Sequence, residues 1–194
     1  MNNYDIMLRA AQQRFTCYDM VALAKRPGVE DGGAYLFTTF FSQKVAIQKS
    51  TGAITVAGRP ADFGPTLSIL DWLCDRQPNA CAAEEFCPVG SLPRVYVSGS
   101  NLVISGDALA QKIHHAPYAF RQTMAEMGAK PVSLGDLGFR LQIFQDLPMC
   151  LKFYFGDEEF PPQLTLLWDQ NILQFVRYET VYYIAGCLLR YLSG

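Results

Sequence analysis

The sequence lacks the features that mark several large classes of protein. Its 194 residues carry 16 Lys and Arg against 18 Asp and Glu, with no long basic stretch that would hold a phosphate backbone, so we expect no nucleic acid partner. No run approaches the roughly 18 apolar residues that a membrane helix needs, and we expect no membrane partner. The N-terminus has no basic region followed by an apolar one, which argues against a secretory signal and favours a cytoplasmic location.

Familiar catalytic and cofactor signatures are missing as well. There is no Gly-x-Ser-x-Gly elbow and no glycine-rich phosphate loop, so no cofactor can be named. The two histidines, His114 and His115, are consecutive and would diverge by about 100° on a helix, a poor arrangement for binding one metal ion. Six cysteines in a chain of this length are far fewer than a disulfide scaffold has, so we expect reduced thiols. Cys74, Cys81 and Cys87 lack a Cys-x-x-Cys arm, so we expect no metal cluster.

What is present is an ordinary globular composition, 50% hydrophobic, in a chain long enough for one sizeable core. Its periodicity predicts an α+β fold in a single domain spanning residues 1–194, with a partly antiparallel sheet of about five to six strands packed with helices. A long irregular connection, 77–106, holds one short predicted strand at 94–97. The predicted helices fall within 3–25, 62–74, 107–115, 118–127 and 179–191, and the other predicted strands cover 35–41, 44–48, 53–56, 139–145, 149–155 and 163–168.

The most informative segment is 156–162, Gly-Asp-Glu-Glu-Phe-Pro-Pro, between two predicted strands. Its three consecutive carboxylates, Asp157, Glu158 and Glu159, repel one another unless they are solvated or gather a cation. The run lacks the spacing of a calcium loop, which disfavours a metal site. The other interpretation is a solvated turn in which the glycine supplies the bend and the Pro-Pro pair stiffens the chain.

Aromatic and cysteine residues supply further candidates. Cys87 precedes a proline in a predicted loop, where an exposed thiol would act as a nucleophile only beside a base. Three other cysteines lie in apolar helical patterns and are predicted to be core residues: Cys17, Cys74 and Cys187. Six aromatic residues near the acidic segment would line either a pocket for a flat ligand or the core: Phe153, Tyr154, Phe155, Phe160, Trp168 and Phe175.

Segment 156–162, followed by Leu167-Trp168-Asp169 and Tyr178-Glu179, resembles the hallmark of a domain-of-unknown-function family found widely in anaerobic prokaryotes. The resemblance runs along nearly the whole chain and includes Tyr18-Asp19 and Leu70-Asp71-Trp72-Leu73. Some members look fused to an iron–sulfur domain like that of corrinoid proteins. The resemblance therefore implies a role in the corrinoid or one-carbon metabolism of anaerobes.

This sequence departs from the family pattern at two places. The family usually has Leu-Phe-Asp where Trp168 replaces the Phe here, and Thr-Glu-Asp where this chain keeps Glu179 and then has Thr180. Any site that requires the last carboxylate of that pattern is altered in this protein.

Three hypotheses follow. In the first, the chain is a non-catalytic ligand-binding or accessory protein, and its partner is a small-molecule ligand or another protein. In the second, it is a metal- or carboxylate-dependent enzyme of hydrolase or transferase type that uses the acidic turn. The candidate ligand-binding residues are Asp157, Glu158, Glu159, Phe160, Pro161, Trp168, Asp169, Glu179 and Cys87.

The third hypothesis is structural. The acidic turn would lock a hairpin against the C-terminal helix, with Phe160, Pro161 and Pro162 buried and Glu179 capping the start of that helix. Exposed edge strands would also permit a homodimer.

Overall fold

The structure is a computed structural model that describes residues 3–93, 95 and 107–193. The predicted strand at 94–97 lies, except for Val95, outside the described residues. The predicted helical segments are confirmed with small shifts of their ends. In the first segment the helix is interrupted before Asp19, whose carboxylate accepts a hydrogen bond from the N–H of Val21 at 2.9 Å and begins a second helix. The helices are α1 (Asn3–Thr16), α2 (Met20–Ala24), α3 (Phe63–Cys74), α4 (Asp107–His115), α5 (Pro117–Glu126) and α6 (Tyr178–Ser193).

Ten strands in the described part of the chain form two antiparallel sheets of five strands each, which confirms the α+β fold class. The first sheet has the order β1 (Glu30–Asp31), β2 (Tyr35–Phe40), β3 (Gln43–Gln48), β4 (Ile54–Val56) and β5 (Arg59–Pro60). The second has the spatial order β6-β10-β9-β8-β7, from β6 (Phe86–Cys87), β7 (Lys130–Pro131), β8 (Leu137–Phe144), β9 (Leu147–Tyr154) and β10 (Gln163–Asp169).

Four strands do not follow from the sequence pattern, and all four lie at sheet edges. β1, β5, β6 and β7 contain two residues each, too few to show the alternation of apolar and polar residues that identifies a strand. Each pairs with only one neighbour, so tertiary pairing and not local pattern defines it. The six longer strands were all predicted.

The two sheets share one hydrophobic core. Trp72 of α3 stacks on Phe144 of β8 with ring centroids 4.3 Å apart and an interplanar angle of 5°. At the end of β2, the N–H of Phe41 donates to the carbonyl of Ile143 in the second sheet at 3.0 Å. Every residue of α3 from Thr66 to Cys74 is buried, because α1 and α6 pack on the same helix. No helix among the described residues is both long and apolar enough to cross a membrane.

Candidate functional site

The acidic turn between β9 and β10 is organised by one of its own carboxylates. Oδ1 of Asp157 accepts hydrogen bonds from the N–H groups of Glu159 (2.9 Å) and Phe160 (2.8 Å), and the N–H of Asp157 donates to the carbonyl of Phe160 at 2.9 Å. The bonds from Phe160 and Glu159 lower the pKa of Asp157. On the other side of the turn, the N–H of Gly156 donates to Nδ1 of His114 in α4 at 3.3 Å. The turn therefore contacts α4.

The hydrophobic part of this turn is exposed, contrary to the third hypothesis. Phe160 is 67% exposed and Pro161 is also exposed, so the hairpin is not locked by burial of these residues. They border a cavity of about 580 Å³, which we call the acidic groove. Its lining includes Asp136, Asp157, Tyr154, Phe155, Phe160, Pro161 and Pro162.

The acidic groove combines exposed aromatic rings with carboxylates. Tyr154 and Phe155 are 43% and 39% exposed, and the ring of Phe155 makes an edge contact with that of His114 at a centroid distance of 6.0 Å. Oδ2 of Asp136 accepts a hydrogen bond from the N–H of Phe155 at 2.8 Å. The ammonium group of Lys152 lies 5.2 Å from the ring centroid of Tyr154, so this aromatic surface already attracts one cation. Glu158 and Glu159 are exposed beside the groove.

Asp169 lies at the opposite end of β10. It is fully buried, and its carboxylate accepts hydrogen bonds from the N–H groups of Ala83 (3.0 Å), Glu84 (2.8 Å) and Asn171 (2.9 Å). The length of β10 separates Asp169 from Gln163, at the rim of the groove, by about 20 Å. Asp169 therefore fixes the loop that leads into β6.

Trp168 and Cys87 are cross-strand neighbours at that same end of the sheet. Trp168 is fully buried, and within the described residues its indole N–H has no hydrogen-bond partner. Cys87 is half-buried, and burial together with the charge of Asp169 raises the pKa of its thiol. A raised pKa disfavours the thiolate that a cysteine nucleophile requires.

The three cysteines that were predicted to be core residues differ in their exposure. Cys17 is exposed, so its prediction as a core residue is wrong; it follows the end of α1, where nothing in the helical pattern determines burial. Cys74 and Cys187 are buried as predicted, and burial raises the pKa of Cys74 to about 12. Across the described ranges, no three His, Cys, Asp or Glu side chains are grouped in a way that could hold a metal ion.

Glu179 lies in a third place, a cleft of about 550 Å³ between α1, α3 and α6. We call it the arginine–aspartate cleft, and its lining includes Arg14, Asp71, Arg177, Glu179, Met7, Leu67 and Tyr183. The candidate residues thus do not form one surface. The structure places Asp157, Phe160 and Pro161 on the acidic groove with Glu158 and Glu159 beside it, Cys87, Trp168 and Asp169 at the far end of β10, and Glu179 on this cleft.

The floor of the arginine–aspartate cleft is a network of charges. Asp71, 2% exposed, accepts hydrogen bonds from Nη2 of Arg14 (2.6 Å), Nη2 of Arg177 (2.7 Å) and Oγ1 of Thr180 (2.5 Å). Asp75 pairs with Nη1 of Arg14 at 2.7 Å and Nε of Arg177 at 2.8 Å. Burial opposes the charge of both arginines, but the bonds and charges of the two aspartates outweigh it and raise the pKa of Arg14 and of Arg177.

Sequence reasoning did not assign this network to a site. The one local signal was Asp71, an acidic residue inside the apolar helical run of α3, where an ionised side chain needs a partner. The partners come from α1 and from the start of α6, which are 57 and 106 residues away along the chain. Periodicity carries no information about such pairs.

The fold and these sites define an α+β domain with two antiparallel sheets, one acidic and aromatic groove, and one charged cleft. The chain belongs to the family described as domain of unknown function (DUF3786), whose sequence profile matches residues 19–191. This confirms membership of a domain-of-unknown-function family. No curated protein and no solved structure matches the chain.

Proposed function

We propose that this protein is a non-catalytic binding protein that holds an organic cation in the acidic groove. The observation that carries the proposal is the presence of exposed Tyr154, Phe155 and Phe160 rings beside the carboxylates of Asp136 and Asp157 in one cavity. The face of an aromatic ring attracts a cation, and nearby carboxylates add long-range attraction. A cavity of about 580 Å³ is within the range of small-molecule sites.

The ionised state of the Asp157 carboxyl group favours a role in binding over a role in acid–base catalysis. A general acid at neutral pH needs a carboxyl group whose pKa is raised, whereas the pKa of Asp157 is lowered by its backbone hydrogen bonds. Its Oδ1 atom is also engaged with two backbone N–H groups. An ionised, fixed carboxylate suits the role of a charge partner. For this reason we prefer a binding protein to the metal- or carboxylate-dependent enzyme.

The family resemblance extends the proposal to a cellular setting. We propose that the ligand, or a protein partner that carries it, belongs to the corrinoid or one-carbon metabolism of anaerobes and that the protein acts in the cytoplasm. The first experiment is to purify the chain without oxygen and to record its native mass spectrum together with an elemental analysis. A retained organic cation or corrinoid would support the proposal, and the same spectrum would show whether the chain forms the homodimer that its edge strands would permit.

Choline and its neutral carbon isostere, 3,3-dimethylbutan-1-ol, provide a direct test by calorimetric titration. Because cation–π attraction at an exposed site contributes about 0.5–1 kcal/mol per ring, we expect choline to bind more tightly, and Phe160→Ala to weaken choline binding about two- to fivefold. The matched control is Tyr118→Ala, an 80% exposed aromatic residue of α5 outside the groove. Equal binding of the two compounds, or no effect of Phe160→Ala, would contradict a cation site.

The carboxylates are tested separately. The double substitution Glu158→Gln, Glu159→Gln removes two exposed charges without altering the hydrogen bonds that Asp157 accepts. We expect choline affinity to fall and its salt dependence to flatten, because the lost attraction is long-range. Glu30→Gln, an exposed charge on β1, is the control and should leave both quantities unchanged.

A further inference from the structure

The arginine–aspartate cleft presents a guanidinium group that is exposed and yet fixed. Arg177 is 55% exposed at its side chain, but Nη2 is bound to Asp71 at 2.7 Å and Nε to Asp75 at 2.8 Å. An exposed arginine ordinarily samples many rotamers, and these two carboxylates remove that freedom before any ligand arrives. In the described part of the chain, Nη1 of Arg177 has no hydrogen-bond partner.

A second donor in the same cleft also lacks an acceptor. Nε of Arg14 is buried and has no hydrogen-bond partner among the described residues, although both Nη atoms of Arg14 are engaged with Asp71 and Asp75. Buried donors are rarely left unsatisfied, and each one costs free energy. Because the Nε atom of Arg14 is closed to solvent, the exposed guanidinium group of Arg177 is the donor that a carboxylate in the cleft can reach.

The cleft also contains a free negative charge and an apolar wall. Glu179 is exposed in the first turn of α6, and its carboxylate has no partner among the residues that the structure describes. Met7, 43% exposed, lines the cleft together with Leu67 and Tyr183. Arg14 and Arg177 are offset by Asp71 and Asp75, and Glu179 adds one further negative charge, so the net charge of the cleft does not favour a simple anion.

From this arrangement we propose that the arginine–aspartate cleft binds a small zwitterion with an apolar substituent, the chemistry of an apolar α-amino acid. The carboxylate of the ligand pairs with Arg177 and approaches Arg14, its ammonium group pairs with Glu179, and its side chain packs on Met7 and Leu67. The volume of about 550 Å³ accommodates such a ligand. Asp71 and Asp75 act as positioning residues, since they hold the two guanidinium groups in place.

The test uses three related compounds in calorimetric titrations with the full chain. L-leucine carries both charges, 4-methylpentanoate only the carboxylate, and 3-methylbutylamine only the ammonium group. We expect L-leucine to bind most tightly, because each ion pair at an exposed site contributes about a two- to fivefold change in affinity. Equal binding of L-leucine and 4-methylpentanoate, or no binding of any of the three at millimolar concentration, would overturn the proposal.

Two substitutions separate recognition from folding. Glu179→Gln changes an exposed side chain outside the network, so the fold is retained, and we expect it to weaken L-leucine binding about two- to fivefold without weakening 4-methylpentanoate binding. Arg177→Gln should weaken both compounds. Glu30→Gln, the same charge change at an exposed position of β1, is the control and should alter neither. Unchanged L-leucine affinity in Glu179→Gln would overturn the assignment, and because the choline titration uses a separate cavity, the two proposals can fail independently.

Discussion

Asp157 and Asp169 belong to the same acidic, C-terminal part of the sequence, and both direct their carboxylate oxygens to backbone N–H groups. Asp157 does so at the surface, in a turn whose other acidic side chains remain solvated. Asp169 does so in the core, where three N–H groups from two different segments converge on it. The same residue type thus organises a turn in one place and anchors a loop in the other. Solvent access determines how much each of these hydrogen bonds contributes to the free energy of unfolding.

For Asp157 the expected signature is a pH dependence. A carboxyl group whose pKa is lowered in the folded state stabilises the fold fully above its unfolded pKa of about 4, and that stabilisation is lost as the pH falls through the folded value. We therefore expect Asp157→Ala to lower the melting temperature at pH 7, with a difference from wild type that shrinks below about pH 4. Calorimetry at pH 7 and at pH 3 measures the difference in melting temperature between the two proteins.

Asp157→Asn and Glu158→Ala complete that measurement. The asparagine keeps an oxygen acceptor without the charge, so its melting temperature should fall between those of wild type and Asp157→Ala at pH 7. Glu158 is exposed, and its replacement should have little effect. If the melting temperatures of wild type and Asp157→Ala differ by the same amount at pH 7 and pH 3, the charge of Asp157 does not strengthen the turn.

For Asp169 we expect a large loss of stability. Asp169→Ala leaves the part-buried N–H groups of Ala83, Glu84 and Asn171 without their acceptor, at a cost of about 1–3 kcal/mol. Urea unfolding measures this loss, and amide exchange should show faster opening at Ala83 and Glu84. Glu85→Ala, an exposed neighbour, serves as the control. A loss below about 1 kcal/mol would mean that water replaces the carboxylate without penalty.

Among the secondary-structure elements, α3 has the central position. Its residues from Thr66 to Cys74 are all buried, and on one side it carries Trp72 against Phe144 of the second sheet. On another side Asp71 binds side chains from α1 and from the beginning of α6. A helix surrounded in this way has an apolar residue at nearly every position, and the one buried charge is tolerated because three donors satisfy it.

Removing that charge should loosen the three helices together. Asp71→Ala leaves Arg14 and Thr180 without their buried acceptor, and breaking a buried ion pair from one side costs about 3–5 kcal/mol. We expect the midpoint of urea unfolding to fall accordingly. The control Glu30→Ala removes an exposed carboxylate from β1 and should change the free energy of unfolding by less than about 0.5 kcal/mol. Similar midpoints for the two variants would refute a central role for Asp71.

At the scale of the whole molecule, the two sheets are joined through shared core contacts. The Phe41 to Ile143 hydrogen bond connects them directly, and Phe40 packs on Phe144 with ring centroids 5.3 Å apart. The buried side chains of both sheets belong to one cluster. Such coupling predicts that neither sheet unfolds by itself, and the single domain expected from the sequence stays a prediction.

Calorimetry tests this prediction. We expect one unfolding transition with equal calorimetric and van't Hoff enthalpies, since all elements depend on the same core. Circular dichroism and tryptophan fluorescence should give the same midpoint, because Trp72 and Trp168 report on α3 and the second sheet. Two separated transitions would instead divide the chain into two domains.

The sequence by itself determined the long elements. The alternating burial along β2 and the helical spacing of the buried residues of α6 reflect burial on a fixed period, so the α+β class follows from local pattern. Cys17 shows the limit of this reasoning, since it lies just past the end of a helix, where neighbouring elements decide exposure. The acidic turn was recognised from its composition, because three adjacent carboxylates need solvent or a cation.

Only the tertiary structure decided which of these residues meet. Asp169 and Asp157 are 12 residues apart in the sequence, yet an extended strand keeps them at opposite ends of one sheet. Arg14, Asp71 and Arg177 are far apart in the sequence and in direct contact in the fold. Local periodicity records whether a side chain is buried, but the packing of α1, α3 and α6 determines its partners, because charges attract through space and not along the chain.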